Sequence, residues 1–363
     1  MLRAACAARR ESGAGLMKSD SISPIQKIAE ELQLSPTTVS FVLNGRGDAM
    51  RISQKTQQRV REAAEKYHYR PNIYARRLRT CAGGVPAYGI AAFWNISYYV
   101  DEMLGALVRA VQRFEQENRV SIELVVQPYT GDHLCDFQEC MTVNRYSGIL
   151  LFGMTAQDVA FLQNHTFAVP IVVCNREIPR YSCVLNSDFL AGRMCAEHFF
   201  RRGITRAGIL GIDPEHSAGC RRRDGFLEAA AQLGLLVRPE WQIEEPLRTT
   251  AGGYAAARKL LACGERPAAC LCMYDTTMVG VLNACRERSL AVPQEMELVS
   301  CGDNVVLSYL SPSITSLCVP KALPMREALT LLLRAFSGEL SEPGSIYCLP
   351  EWTYRESSPA PAP

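Results

Sequence analysis

Apolar residues in the first eighty positions recur at intervals of three and four, which is the period of an amphipathic helix. Ser23-Pro24-Ile25-Gln26 predicts a helix start, with Ser as the cap, Pro at the first helical position and Gln closing a capping box. The same Ser-Pro helix start occurs again at Ser35-Pro36, and a third helix is predicted to start at the cap Ser53. The apolar positions that share a face are Ile25, Ile28, Ala29 and Leu32, then Val39, Val42 and Leu43, then Val60, Ala63, Ala64 and Tyr67. The pattern predicts a helix-turn-helix closed by a third helix.

From residue 86 to residue 356, short apolar runs alternate with stretches of helical period. The runs predicted as strands are 88–93, 122–126, 148–152, 171–174, 207–211, 269–273 and 298–301. The stretches predicted as helices are 103–114, 191–200, 226–233, 254–261 and 278–286. Alternating strands and helices predict parallel sheets covered on both faces. About 270 residues exceed one such sheet, so two α/β lobes are expected.

Composition narrows the class of protein. The 363 residues are 48% apolar and 21% charged, which is globular and excludes wholesale disorder. The 15 cysteines are odd in number and lie mostly in apolar strings without a C-x-x-C pair, so buried free thiols are expected rather than disulfides. The five histidines lack ligand spacing, so we expect no metal and no cofactor. Neither a signal-peptide core nor a membrane span is visible, which predicts a cytoplasmic protein without membrane contact.

Charge is distributed unevenly between the front module and the body. Residues 23–80 carry 11 Lys and Arg against 5 Asp and Glu, a net charge of +6, whereas residues 81–363 carry a net charge of −6. Tyr69-Arg70-Pro71-Asn72 interrupts the front module, and a basic segment of two helical turns follows over 73–80. A helix this short is unstable alone in water, so it is expected to fold only against another surface. The basic front is therefore predicted to bind a polyanion.

These front segments resemble the LacI/GalR (lac repressor) family. The segments that carry the resemblance are Ile28-Ala29, Leu34 to Gly45, Tyr69-Arg70-Pro71-Asn72 and Ala75 to Thr80. The resemblance implies that the second helix lies in the major groove and that the hinge helix wedges Leu78 into the minor groove. Where the family motif has Val-Ser-Arg-Val, this chain has Val39-Ser40-Phe41-Val42, and Phe can offer a base only apolar contact. The DNA-contacting residues implied are Ser35, Pro36, Thr37, Thr38, Ser40, Phe41, Asn44, Tyr69, Asn72, Ala75, Arg76, Leu78 and Arg79.

The body is similar to the effector domain of the same family, which shares the fold of periplasmic sugar-binding proteins. The motifs are Arg222-Arg223-Asp224-Gly225-Phe226, Tyr274-Asp275 and Leu310 to Thr315. The resemblance implies a small effector, a sugar, bound between the lobes by Phe93, Trp94, Asn175, Arg176, Asp188, Arg222, Asp275 and Asp303. Arg222 and Asp275 suit neighbouring sugar hydroxyls, and the alternative is a salt bridge between the lobes. Phe93 and Trp94 are either a stacking platform or core aromatics.

The predicted fold class is α/β, with an N-terminal helix-turn-helix domain, a hinge helix and a two-lobed periplasmic-binding-protein-like domain. The predicted domains are a disordered lead-in (1–22), the helix-turn-helix domain (23–70), the hinge helix and linker (71–85), the effector-binding and dimerisation domain (86–356) and a disordered tail (357–363). The predicted function is a repressor that binds a near-palindromic duplex operator as a homodimer under effector control. The alternative is a periplasmic-type sugar receptor without DNA function. No catalytic motif occurs in the sequence, so an enzyme is not expected.

Overall fold

The computed structural model describes residues 24–43, 47–66, 85–97, 101–143, 145–340 and 342–362. The chain divides into two compact units, Met1–Ala75 and Arg76–Pro363. The lead-in and the hinge helix predicted from the sequence lie outside the described residues.

The first unit contains the three helices that the sequence predicts. They are α1 (Pro24–Leu32), α2 (Pro36–Leu43) and α3 (Gln54–Lys66). The cap of α2 is confirmed, because Ser35 Oγ accepts a hydrogen bond from the Thr38 backbone N–H at 3.0 Å, and Ser53 Oγ caps α3 in the same way. Ile28, Val39 and Val60 are fully buried against one another and form the centre of the small core. One apolar stripe from each helix therefore closes this unit.

The first lobe of the second unit is a parallel six-stranded sheet with the order β11-β5-β4-β3-β1-β2. Its strands are β1 (Ala87–Asn95), β2 (Ser121–Tyr129), β3 (Gly148–Phe152), β4 (Ile171–Cys174), β5 (Ser182–Asn186) and β11 (Ser345–Cys348). Its helices are α4 (Asp101–Asn118), α5 (Ala156–Asn164) and α10 (Ala322–Phe336). The inner strands β1, β3, β4 and β5 are buried on both faces, which explains their apolar composition, whereas the edge strands β2 and β11 are largely half-buried or exposed.

The second lobe is another six-stranded sheet, with the order β12-β10-β9-β8-β6-β7. Its strands are β6 (Ala207–Ile212), β7 (Gln242–Glu244), β8 (Ala269–Cys272), β9 (Glu297–Cys301), β10 (Thr315–Cys318) and β12 (Glu351–Thr353). Its helices are α6 (Asp188–Arg201), α7 (Ser217–Leu233), α8 (Thr250–Leu261) and α9 (Met278–Glu287). The edge strand β12 pairs antiparallel with β10, so the prediction of wholly parallel sheets is corrected at this edge.

The chain crosses between the two sheets from β5 to β6, from β10 to β11 and from β11 to β12. All seven predicted strands are found, whereas β5, β7, β10, β11 and β12 were not predicted. These strands have three to five residues, which is too short for a period to show in the sequence. Two of them, β11 and β12, join their sheets after a crossing, which local pattern does not reveal.

The tail predicted to be disordered over 357–363 is instead fixed in the second lobe as far as the described residues reach. Ser357 and Ser358 are fully buried. Ser358 Oγ donates its only proton to Glu297 Oε2 at 2.6 Å. His198 Nε2 lies 2.6 Å from Ser358 Oγ, so the proton of this second hydrogen bond is on Nε2, which donates to Oγ. Burial lowers the pKa of His198 to about 4, which keeps the ring neutral. The Pro- and Ala-rich composition favoured disorder, but two hydroxyls here satisfy buried polar groups.

The thirteen cysteines of the described segments are free, and most of them are buried in the two lobes. Burial raises the pKa of Cys285 and Cys348 to about 11 each, so both remain thiols at neutral pH. None of the described helices combines the length and the apolarity that a bilayer crossing requires.

Candidate functional site

The outer surface of α2 carries the described part of the predicted DNA-contacting set. Pro36 and Thr37 are exposed, and Ser40 and Phe41 are half-buried. Ser35 and Thr38 bond to each other at the start of the helix, with their hydroxyl oxygens 2.8 Å apart. The side chains packed around the small core in the described part of this unit are Leu32, Leu34, Leu43 and Ile52. Phe41 thus stands outside that core on the same surface as Thr37, one helical turn away.

Asn44, Tyr69, Asn72, Ala75, Arg76, Leu78 and Arg79 lie outside the described residues.

Two glycines bring α6 and α7 into close contact. A Cβ at Gly192 would overlap the backbone carbonyl of Arg222, and a Cβ at Gly225 would overlap the carbonyl of Phe189. Helix backbones that approach this closely leave no room for a side chain at either crossing point. The first turn of α6, which starts with Asp188, therefore lies directly beside Arg222 of α7. Gly225, the glycine of the motif from Arg222 to Phe226, therefore allows the two helices to pack in contact.

Arg222 is held by Asp188 in the second lobe. Arg222 Nε donates to Asp188 Oδ1 at 2.9 Å, Nη1 donates to the carbonyl of Met273 at 3.2 Å, and Arg221 Nη2 donates to Asp188 Oδ2 at 3.1 Å. Burial acts to lower the pKa of Arg222, but the charge of Asp188 outweighs it, so the pKa is raised. Both residues belong to one lobe, so the predicted alternative of a salt bridge between the lobes is wrong for Arg222. The sequence placed Arg222 and Asp188 in one set without predicting this pairing.

Asp275 follows β8 at the carboxyl end of the second sheet. Its Oδ1 accepts a hydrogen bond from the Thr276 backbone N–H at 2.9 Å, and a Cβ at Gly302, after β9, would lie 2.8 Å from its Cγ. Burial raises the pKa of Asp275, while the Thr276 N–H and the charge of Arg222 oppose that rise. The donor fork and the carboxylate that the sequence paired are therefore neighbours, although Arg222 binds Asp188 directly.

Tyr274 and His216 form an aromatic wall beside this pair. The rings are 5.7 Å apart and edge to face, and His216 Nδ1 caps α7 by accepting a hydrogen bond from the Gly219 backbone N–H at 3.2 Å. Burial and the charges of Arg248, Arg222, Arg176 and Arg221 lower the pKa of His216 to about 3, so the ring is neutral. Burial raises the pKa of Tyr274 to about 12, so its hydroxyl remains a donor.

Two further arginines extend the site. The Arg248 guanidinium lies 5.5 Å from the centre of the Tyr274 ring, and its Nε is 3.8 Å from Asp213 Oδ2. Arg176 follows β4 in the first lobe and donates to the carbonyl of Asn175 at 2.9 Å. Asn175 has a φ of 60°, a left-handed conformation that turns the chain sharply at the end of its strand. Strained residues of this kind often occur at functional sites.

Three predicted effector residues have other partners in the structure. Asp303 Oδ1 forms an ion pair with Arg355 Nη1 at 2.8 Å. Phe93 is completely buried and contacts Phe137 and Tyr146, while Trp94 is 3% exposed and stacks on Phe152 with ring centres 4.2 Å apart. Of the two roles left open for Phe93 and Trp94, the structure places them in the core, and no stacking platform is built from them here.

His216, Ser217, Arg221, Arg248 and Asp213 were missed by the sequence analysis, and Tyr274 was noted only as part of a motif. Asp213 directly follows β6, so the rule that ligands sit beyond the carboxyl ends of strands could have found it. Arg248 lies in a loop with no local signal. Among the described residues, no group of three or more His, Cys, Asp and Glu is arranged to hold a metal ion.

Two family models match separate parts of the chain. The model of bacterial regulatory proteins of the lacI family matches residues 24–72, and the model of the periplasmic binding protein-like domain matches residues 196–358. The ribose operon repressor of Haemophilus influenzae is 23% identical over 338 residues, which is 93% of this chain and 98% of that protein.

Two solved structures have the same fold. The lac repressor dimer bound to operator and the anti-inducer ONPF matches with a TM-score of 0.65 and 20% identity, over 92% of this chain and 98% of that one. The complex of the transcriptional regulator CelR with cellobiose matches with a TM-score of 0.65 and 21% identity, over 92% of this chain and 99% of that one. The likeness thus extends over the helix-turn-helix unit and both lobes.

Proposed function

Because this chain belongs to the LacI family of bacterial regulatory proteins and is a DNA-binding transcriptional repressor rather than an enzyme, we propose that a small effector bound beside Arg222 controls its affinity for an operator. The observation that carries the proposal is the cluster of Arg222, Asp188 and Asp275. It combines the half-buried guanidinium donors of Arg222 with the Asp275 carboxylate, whose pKa is raised by burial, at the carboxyl ends of the strands. Such a cluster suits a small hydroxylated ligand, and a sugar is the class proposed.

The surface of α2 is the proposed major-groove reader. A helix in the major groove reads bases through side chains on its outer face, and Thr37, Ser40 and Phe41 lie there, none of them in the small core. The hinge segment adds Arg76 and Arg79, which are proposed to contact phosphates. This assignment predicts sequence-specific binding to duplex DNA, and a near-palindromic operator and a cytoplasmic location are proposed with it.

Loss of a hinge arginine is expected to weaken binding to any duplex sequence. In Arg76→Ala and Arg79→Ala, each lost phosphate contact should reduce the log–log salt slope by about 0.9. Fluorescence anisotropy with a labelled duplex at several salt concentrations measures this slope. Arg326→Ala, an exposed arginine of α10 paired with Glu327, is the control and should leave the slope unchanged. Unchanged slopes in both hinge variants would contradict their placement on DNA.

Phe41→Arg is expected to change the operator that the protein selects. A guanidinium at this position can donate two hydrogen bonds to guanine, which should shift the preference at one position of each half-site by about 1 to 3 kcal/mol. Selection from random duplexes gives the consensus of the wild type and the variant. Phe41→Ala is the control, because it removes the apolar contact and adds no donor. The same consensus from wild type and Phe41→Arg would show that Phe41 does not face the bases.

The protein is proposed to act as a homodimer, because two hinge segments must lie close together on one operator. An exposed apolar cluster near the end of β9 supports a self-contact. Val305, Val306 and Tyr309 are 64%, 42% and 82% exposed. Neighbouring apolar side chains this exposed indicate a protein contact surface.

Tyr309→Asp is expected to weaken the dimer. Loss of an aromatic anchor at an interface costs about 2 kcal/mol or more, so the dimer dissociation constant should rise at least roughly thirtyfold. Sedimentation velocity over a concentration series measures this constant. Phe200→Asp, at an equally apolar exposed site on α6, is the control. A dimer of unchanged affinity in Tyr309→Asp would place the interface elsewhere.

A further inference from the structure

Two buried hydroxyl groups at the first turn of α7 have no hydrogen-bond partner among the described residues. Tyr274 is 8% exposed, and its Oη forms no hydrogen bond with any described residue. Ser217 Oγ, on the first residue of the helix, is also buried and unpartnered within the described chain. A Cβ added at Gly219 would lie 2.8 Å from Tyr274 Oη, so this hydroxyl is aimed at the helix start. Buried hydroxyls without partners indicate that a ligand or water completes the site.

The charged groups around this helix start carry a small positive excess. Arg222 and Arg221 reach it from α7, Arg248 lies over the Tyr274 ring, and Arg176 comes from the first lobe. The carboxylates close by are Asp188, which bonds to Arg221 and Arg222, Asp213, at 3.8 Å from Arg248, and Asp275. Four guanidiniums thus face three carboxylates.

The groups at this point donate hydrogen bonds. The backbone N–H groups at the start of a 17-residue helix point outward with the positive end of its dipole. His216 already uses Nδ1 to accept from Gly219 and is neutral, so it adds no charge that competes with the arginines. Donor hydroxyls, a helix start and guanidiniums together match the acceptor oxygens of a phosphate or a carboxylate.

We propose that the effector carries an oxyanion group, which binds at the start of α7 between Ser217, Tyr274 and Arg248, while its hydroxylated body lies toward Arg222 and Asp275. This inference rests on the proposed role of the cluster of Arg222, Asp188 and Asp275 as the effector site, and it specifies the chemical class of the effector. The hydroxyl oxygens of a neutral sugar can accept from Tyr274 Oη and Ser217 Oγ, but they carry no negative charge to pair with the surrounding guanidiniums, whereas an oxyanion does both. A phosphorylated sugar and a sugar acid share the required chemistry.

The test uses the full chain, with inorganic phosphate as the first probe at constant ionic strength set by chloride. Isothermal titration calorimetry should detect phosphate binding to the wild type, and Arg248→Gln and Tyr274→Phe should each weaken it about tenfold. Arg258→Gln is the matched control, because Arg258 also lies over a tyrosine ring, that of Tyr254, on α8. Equal phosphate affinity in all four proteins, or no binding to the wild type, would overturn the inference.

Three further ligands distinguish a phosphorylated sugar from a sugar acid as the source of the anion. They also test the effector role separately from the oxyanion site. Glucose 6-phosphate represents the phosphorylated sugars, gluconate the sugar acids and glucose the neutral control, each also added to operator titrations. If an anion binds at this site without changing operator affinity, the anion site stands and the effector role fails. If neutral sugars bind and change operator affinity while no anion does, the effector role stands and the anion inference is overturned.

Discussion

Replacing Asp275 by Ala is expected to abolish the effector response while operator binding without effector stays nearly unchanged. The carboxylate lies beside Arg222, its pKa is raised by burial, and it can accept two hydrogen bonds from ligand hydroxyls. Hydrogen bonds to charged groups are worth about 1.5 to 3 kcal/mol, so effector affinity should fall roughly ten- to 150-fold. Burial disfavours the ionised form of Asp275, so its charge does not stabilise the folded state. Removing the carboxylate should therefore cost the fold no favourable electrostatic energy.

Operator titrations with and without effector measure this response, using the effector identified from neutral sugars, sugar phosphates and sugar acids. The effector can change operator affinity only by its differential affinity for the two states of the protein. At the effector concentration that half-saturates the wild type, a variant that binds roughly ten- to 150-fold more weakly stays largely empty and shows almost no response. Asp136→Ala, at an exposed aspartate of the first lobe, is the control and should respond like the wild type. A full response in Asp275→Ala would remove Asp275 from the site.

Gly225→Ala is expected to lower the free energy of unfolding by about 3 kcal/mol, since the new Cβ meets the carbonyl of Phe189 and must push α6 and α7 apart. Helix propensity alone predicts the opposite sign, because Ala is favoured over Gly inside a helix by about 1 kcal/mol. Denaturant unfolding followed by circular dichroism measures the change in the free energy of unfolding. A decrease shows that tertiary packing dominates, and an increase shows that helix propensity dominates.

The control for this experiment is Gly264→Ala, at a glycine with open space around its Cβ position and no positive φ. Its free energy of unfolding should change by less than about 0.5 kcal/mol. Effector binding gives a second measurement, because separating α6 from α7 also moves Asp188 away from Arg222. Stabilisation by Gly225→Ala would contradict the close packing of the two helices.

Local sequence determined the elements that have a strong period or a clear cap. The three helices of the first unit follow from the capping serines and one apolar stripe each, because burying a stripe is the only way such short helices become stable. The continuous apolar runs gave seven strands, since a strand covered on both faces must be apolar throughout. The family resemblance then implied a set of cleft residues, of which Arg222, Asp188 and Asp275 come together.

Only the tertiary structure decided which of those residues pair and which groups remain without partners. Arg222 bonds to Asp188, 34 positions away, because two glycines let their helices touch. Ser358 meets His198 across 160 positions, and this contact orders a tail whose composition favours disorder. Tyr274 points its hydroxyl at the start of α7 only because β8 ends beside that helix. Periodicity records that a residue is buried, whereas the identity of its neighbour depends on how distant segments close onto one another, which local pattern does not encode.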